Sequence, residues 1–185
     1  MEAVDDLTRT ALEARDGDVA ALGRFVRASQ VEVWRLAAHL VDREAADDIT
    51  QETYERALKA LARFRGDSSA RTWLLTIARH TCADTIRRRR RMRVREDRLR
   101  ALAEDRSERV DQSFELDELL AGLDPDRRAS FVLTQVLGYS YAEAAEVCEC
   151  PVGTIRSRVA RARAELAEAW ADDIPTSGTT EAFDR

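Results

Sequence analysis

Apolar residues recur along this chain at helical spacing, and nowhere in a long strict alternation that would mark a half-buried strand. Leu7, Ala11, Leu12 and Ala14 predict a first helix over residues 5–16, which Gly17-Asp18 interrupts. Asp18 can cap a second helix reaching about Leu40, with Ala21, Leu22, Phe25, Val26, Val33, Trp34, Leu36, Ala37 and Leu40 on a broad apolar face. A third helix spans about 44–63, with Ile49, Thr53, Ala57 and Leu61 inward and Asp48, Gln51, Glu52 and Glu55 outward. The loop Arg65-Gly66-Asp67-Ser68-Ser69 follows, and Ser68 or Ser69 can cap the next helix. That helix, about 70–91, turns Trp73, Leu74, Ile77, Ala78, Thr81, Cys82, Thr85 and Ile86 to the core. Arg79, His80, Ala83, Arg87 and Arg88 fall on its other side.

Over 92–113 charge is dense and apolar positions are sparse, which predicts a flexible linker. Apolar periodicity resumes from Phe114, and Asp124-Pro125 supplies a cap and a first-turn proline for a helix over 125–137 that Gly138 can close. The stretch 139–166 then reads as two helices joined by a turn. Ser140 with Glu143 forms a capping-box signature. Tyr141, Ala144, Ala145 and Cys148 share one face of the first helix, and Pro151-Val152-Gly153 is the predicted break. From Thr154 onward Ile155, Val159, Ala162 and Leu166 form an inner stripe, leaving Arg156, Ser157, Arg161 and Arg163 outside it. A helix-turn-helix with a basic second helix has the geometry that enters a DNA major groove. Beyond 170 the tail is expected to be disordered.

Composition agrees with an all-α chain: glycine, proline and aromatics are scarce in the 185 residues, and 35% of them are charged. No stretch approaches the roughly 20 apolar residues of a membrane span. The N-terminus also lacks the apolar core of a secretory signal, so a cytoplasmic protein is expected. The net charge of −5 is low for a nucleic-acid binder, but it averages two opposed regions. Residues 1–60 hold thirteen acids against eight bases, whereas 63–100 hold thirteen arginines against four acids, five of the arginines consecutive at 87–91. Local potential rather than net charge steers a phosphate backbone, so the segregation predicts two different partners. Cys82, Cys148 and Cys150, with His39 and His80, lack the paired spacing of a structural zinc site, and buried small residues explain them better.

Four passages, in order, resemble the extracytoplasmic-function (group 4) sigma factors of bacterial RNA polymerase: DDITQETYERAL at 47–58, FRGDSSARTWLLTIARHTCADTIRRRRR at 64–91, LDPDRRASFVL at 123–133, and VGTIRSRVARARAEL at 152–166. The resemblance implies two small helical domains, sigma-2 over 5–91 and sigma-4 over 114–170, joined by the linker 92–113, with a tail over 171–185. It implies a transcription initiation factor, free of cofactor and metal, monomeric when free, that acts with RNA polymerase core. In that family the acidic third helix docks on the β′ clamp helices, which points to Asp48, Gln51 and Glu52, and sigma-4 meets the β flap. The loop and basic helix resemble the part that captures the melted downstream (−10) element, pointing to Ser68, Ser69, Arg71, His80, Asp84, Arg87 and Arg88. His80 stands where many members have asparagine. The second helix of the helix-turn-helix resembles the reader of the upstream (−35) duplex, pointing to Thr154, Arg156, Ser157, Arg158 and Arg161, with Arg163 toward phosphate. A cognate anti-sigma protein is a further partner the resemblance suggests.

Two other readings compete. A stand-alone helix-turn-helix regulator would need a dimer with symmetric half-sites, and no dimer helix or ligand domain is evident. A DNA-processing enzyme would need an activated nucleophile or a carboxylate metal cluster. Asp47, Asp48 and Glu52 sit on one helix without a histidine or distant carboxylate to complete one.

Overall fold

The computed structural model describes residues 5–100 and 119–173, and every described element is helical. Its helices are α1 (Asp6–Arg15), α2 (Val19–Leu40), α3 (Arg43–Leu61), α4 (Ala70–Arg100), α5 (Pro125–Phe131), α6 (Tyr141–Val147) and α7 (Val152–Asp173). A π-helical turn, Val132–Val136, follows α5.

Short polar side chains set where the helices begin, because each first turn leaves unpaired N–H groups. Asp5 takes the Thr8 amide at 2.9 Å, Asp18 takes those of Ala20 and Ala21, and Asp42 takes Ala45 at 2.8 Å. Ser69 accepts from Thr72 at 3.1 Å at the start of α4, and Asp124 caps α5. Ser140 and Glu143 form the complete capping box of α6. The Thr8 hydroxyl does double duty. It donates to Asp5 and accepts the Ala70 amide at 2.8 Å, tying α1 to the beginning of α4.

Helices α1 to α4 form one bundle around Phe25, Val33, Leu36, Ile49, Ala57, Leu74 and Ala78, all close to fully buried. In the second unit α5, the π-turn, α6 and α7 enclose Val132, Leu133, Val147, Ile155, Val159 and Ala162. The two units pack together into one continuous apolar core, α6 against α4, and α5 with the π-turn against α2. Polar groups reinforce that junction. Arg128 is buried, and its Nε donates to the His39 carbonyl at 2.6 Å, supplying a partner to the open C-terminal end of α2. A hydrogen bond from a charged donor is worth about 1.5–3 kcal/mol. The Tyr139 hydroxyl donates to the Glu32 carboxylate across the same junction.

Five features differ from the sequence reading. Helix α4 continues to Arg100, into the stretch read as linker, while 101–113 and 174–185 lie outside the described residues. The helix expected over 125–137 is α5 plus the π-turn, closed by Gly138 at φ 77° with the Tyr139 amide donating to Leu133. Tyr141, expected inside, is 36% exposed. The turn of the helix-turn-helix is at Glu149, which adopts a left-handed φ of 53°, so that α7 starts at Val152 and Gly153 lies within it. Pro151 is tolerated because it precedes the first helical turn. Leu75, outside the predicted core face of α4, is 1% exposed. With Thr72 and Arg79 it forms a second covered face on the helix against which α6 packs.

Candidate polymerase and nucleic-acid interfaces

Three charged surfaces follow from this arrangement. The first is the outer face of α3, where Asp48 and Gln51 are exposed and Glu52 is partly covered. Gln51 donates to Glu55 at 3.2 Å, and Arg56 donates to Glu52 at 2.6 Å, an i,i+4 pair that offsets the acidic crowding. The Trp34 indole N–H donates to Asp47 at 2.8 Å, fixing α2 against the start of this face. The face is open in the described structure, and the junction between the two units lies elsewhere, on α2 and α4.

The second surface is α4 with its preceding loop, where the arginines have different fates. Ser69 is committed to its capping role, and Ser68 is partly covered beside it. Arg71, 52% exposed, lies 3.3 Å from Glu32, the carboxylate that also receives the Tyr139 hydroxyl. Burial and Glu32 push the Tyr139 phenol pKa up, keeping it a donor. An open groove of about 490 Å³ lies here, lined by Asp5, Asp6, Ser69 and Arg71 of the first unit among others, with Glu143 of the second at its edge. Asp84 accepts from Arg56 at 2.7 Å and from Arg87 at 2.6 Å. Those two hydrogen bonds, Arg56 first, hold its carboxyl below the usual range. Asp84 therefore positions arginines rather than facing outward as an independent contact. Arg87 remains 66% exposed and Arg88 is exposed, while Arg89 turns back to pair with Asp42 at the cap of α3.

His80 and its neighbour Arg79 meet the second unit directly. Arg79 Nε donates to the Val147 carbonyl at 2.9 Å, and its Nη2 lies 2.9 Å from Glu149 Oε2. His80 Nε2 lies 2.8 Å from the same oxygen. Arg79, Glu149, Glu32 and Tyr139 are functional candidates that sequence reasoning missed. Their placement depends on how two separately patterned units pack, and helical periodicity carries no record of that.

The third surface is the outer side of α7. Arg156, Ser157 and Arg161 are exposed there, and Thr154 is partly covered, its carbonyl receiving the Ser157 hydroxyl at 2.9 Å. Arg158 folds back onto α5, donating to Asp126 and lying 3.6 Å from the Cys150 sulfur. Arg163 donates to Gln135 at 2.5 Å. The exposed reading edge is thus Arg156, Ser157 and Arg161, flanked by two arginines with partners in their own unit. The cysteines behave as apolar residues: burial pushes the Cys82 thiol up to about 12 and the Cys148 thiol up to about 11. Among the described residues no His, Cys, Asp and Glu cluster could hold a metal ion, and no helix is long and apolar enough to cross a membrane.

Comparison with known proteins places both units. The sigma-70 region 2 model matches residues 25–92, and the sigma-70 region 4 model matches residues 113–166. The extracytoplasmic-function sigma factor SigC of Mycobacterium tuberculosis is 51% identical over 173 residues, covering 91% of this chain and 94% of that protein. Among solved structures, CnrH in complex with the cytosolic domain of CnrY superposes with a TM-score of 0.71 at 29% identity, covering 91% of this chain and 99% of that one. The sigma factor RpoE of Bartonella quintana, in complex with the anti-sigma factor NepR, gives a TM-score of 0.63 at 28% identity, covering 84% of this chain and 99% of that one. The all-α, two-domain fold, the matched regions and the near-full-length relatives agree, and the chain belongs to the extracytoplasmic-function sigma factors of the sigma-70 family.

Proposed function

We propose that this sigma factor directs RNA polymerase core to its promoters through two DNA-reading surfaces and one polymerase-docking surface, acting by binding rather than catalysis, in the cytoplasm where the polymerase works. The observation that carries the reading is that exposed acid and exposed base project from different helices. Asp48 and Gln51 are exposed on α3, with Glu52 held beside them by Arg56, whereas Arg87 and Arg88 are exposed on α4 and Arg156, Ser157 and Arg161 on α7. An acidic face suits a basic partner helix such as the polymerase clamp and would repel DNA, whereas the two arginine-bearing helices suit phosphate and base edges. In this reading α7 enters the major groove of the upstream element, with Arg156, Ser157 and Arg161 as its foremost groups. The α4 unit holds the melted downstream strand, with Arg71, His80, Arg87 and Arg88 as contacts and Ser68 and Ser69 shaping the loop. Asp84 acts by setting Arg87. In this reading sigma-2 covers 5–91 and sigma-4 covers 114–170, with α4 continuing past the first boundary to Arg100.

The presence of both matched regions in one chain argues against a stand-alone helix-turn-helix regulator, which has no need of the α3 face. An anti-sigma partner is supported by the RpoE–NepR likeness. The test is docking. Asp48→Arg combined with Glu52→Arg should abolish co-purification with polymerase core while the circular dichroism of the chain stays helical. Normal co-purification of that variant would remove α3 from the account.

A further inference from the structure

Two arginines flank the reading edge of α7, and α5 with the π-turn holds them in different ways. Arg158 donates to the Asp126 carboxylate, so its charge is met by an opposite one. Arg163 Nη2 donates instead to the side-chain amide oxygen of Gln135, a neutral acceptor. Gln135 is in turn fixed from behind. Its Nε2 donates at 2.9 Å to the Thr134 hydroxyl oxygen, and that hydroxyl gives its one proton to the Ser130 carbonyl at 2.8 Å. A hydroxyl so committed can only accept from its neighbour, which sets the Gln135 amide with its nitrogen inward and its oxygen toward Arg163. Both Thr134 and Gln135 belong to the π-turn, where the Leu137 amide reaches back to Val132. The wider winding of a π-turn takes up an extra residue, a departure frequent at functional sites. In this one, consecutive side chains form a hydrogen-bonded line from the backbone of α5 to a side chain of α7.

That line ends beside the reading edge. Arg163 stands seven residues after Arg156, so at about 100° per residue the two share one face of α7, roughly 10 Å apart along its axis. Both are exposed. A guanidinium held at one nitrogen keeps the rest of its planar fork for a second acceptor, and phosphate oxygens fit that fork. A carboxylate at position 135 would aim Arg163 equally well but cancel its charge, whereas the amide aims it and leaves the charge for DNA. We propose that Gln135 and Thr134 are positioning residues for upstream promoter recognition, holding Arg163 ready as a contact to a backbone phosphate at the flank of the groove that α7 enters. The inference rests on the sigma-factor reading and adds to it two residues outside the recognition helix. It also divides the arginines of α7 by role. Arg156 and Arg161 stand on the reading edge, Arg163 serves phosphate, and Arg158 serves its own unit.

The test is fluorescence anisotropy of a labelled promoter duplex, taken from a start site that the wild-type chain directs, titrated at several salt concentrations with polymerase core carrying the full-length chain. Gln135→Leu should weaken binding about three- to tenfold, the scale of one net hydrogen bond. Its melting temperature should not move, since both side chains of the pair are exposed. Gln135→Glu should weaken binding by a similar factor and make the salt slope shallower by roughly 0.9, the value for one phosphate on duplex DNA. Arg163→Ala should show the same loss of slope, and adding Gln135→Leu to it should cost nothing further. Thr134→Val should weaken binding in the same direction, and Thr134→Ser should restore it. Base preference in a randomised upstream-element library should stay unchanged in all of these variants. An equal loss from Gln135→Leu with and without Arg163 would overturn the proposal and mark Gln135 as structural, as would a Gln135→Glu chain that binds like the wild type. If Arg161→Ala weakens binding and Gln135→Leu does not, this inference fails and the sigma-factor reading stands. If neither Arg156→Ala nor Arg161→Ala weakens binding, the reading of α7 fails and takes the inference with it.

Discussion

Asp42 caps α3 with one carboxylate oxygen, at 2.8 Å from the Ala45 amide, and receives the Arg89 guanidinium on the other. Partial burial pushes its pKa up, but Arg89 and the Ala45 amide outweigh that and hold it below the ordinary carboxylate value. A carboxyl whose pKa is lowered by folding contributes stability above its unfolded pKa, near 3.9, and loses that contribution as pH falls through the folded value. The fold should therefore lose stability progressively below about pH 4, and Asp42→Asn should flatten that part of a stability-against-pH curve. At neutral pH Asp42→Ala should cost about 1 kcal/mol in urea denaturation, the usual loss for a helix cap. A variant as stable as the wild type would mean that the cap is replaced by water. Caps were the most legible feature of the chain. Asp18, Asp124 and the Ser140–Glu143 box act on amides two or three residues away, so local sequence determines them.

Helix boundaries follow local rules less faithfully where charge or strain intervenes. Residues 92–100 read as linker because their apolar positions thin out, yet α4 continues through them, since arginine is a good helix former that needs no buried face to stay helical. The turn of the helix-turn-helix was placed on Pro151-Val152-Gly153, the strongest breakers in view, whereas the chain turns at Glu149, a residue that composition marks as helical. On α7 the inner stripe Ile155, Val159 and Ala162 was legible from its period, and all three are buried. What the period could not show is which outward arginines are already engaged. Arg158 pairs with Asp126 and Arg163 with Gln135, leaving Arg161 as the best-placed arginine on the reading edge beyond Arg156. Arg161→Ala should cost about 1–3 kcal/mol of upstream-element affinity and relax preference at one base position in a promoter library. A uniform loss across the library would reassign Arg161 to phosphate.

At the scale of the whole molecule, the two units were legible as separate patterns, and their mutual packing was not. The apolar cluster runs from one unit into the other, and Arg128, Tyr139 and Arg79 bind groups in the facing unit far away in sequence. Nothing in a helical period distinguishes Arg128, which seals the end of α2, from an arginine on a solvated face. The packing gives the three charged surfaces unequal access: the α3 face is open, part of α4 is engaged by Glu149, and the tip of α7 remains exposed. A factor built this way should be selective only in company. The most direct measurement is run-off transcription with purified polymerase core and a genomic template library, with and without the purified chain. The account predicts discrete new start sites that appear only when the chain is added and that share paired upstream and downstream elements. If the chain binds such DNA tightly by itself while core initiates no new transcripts in its presence, the account is contradicted and a stand-alone regulator takes its place.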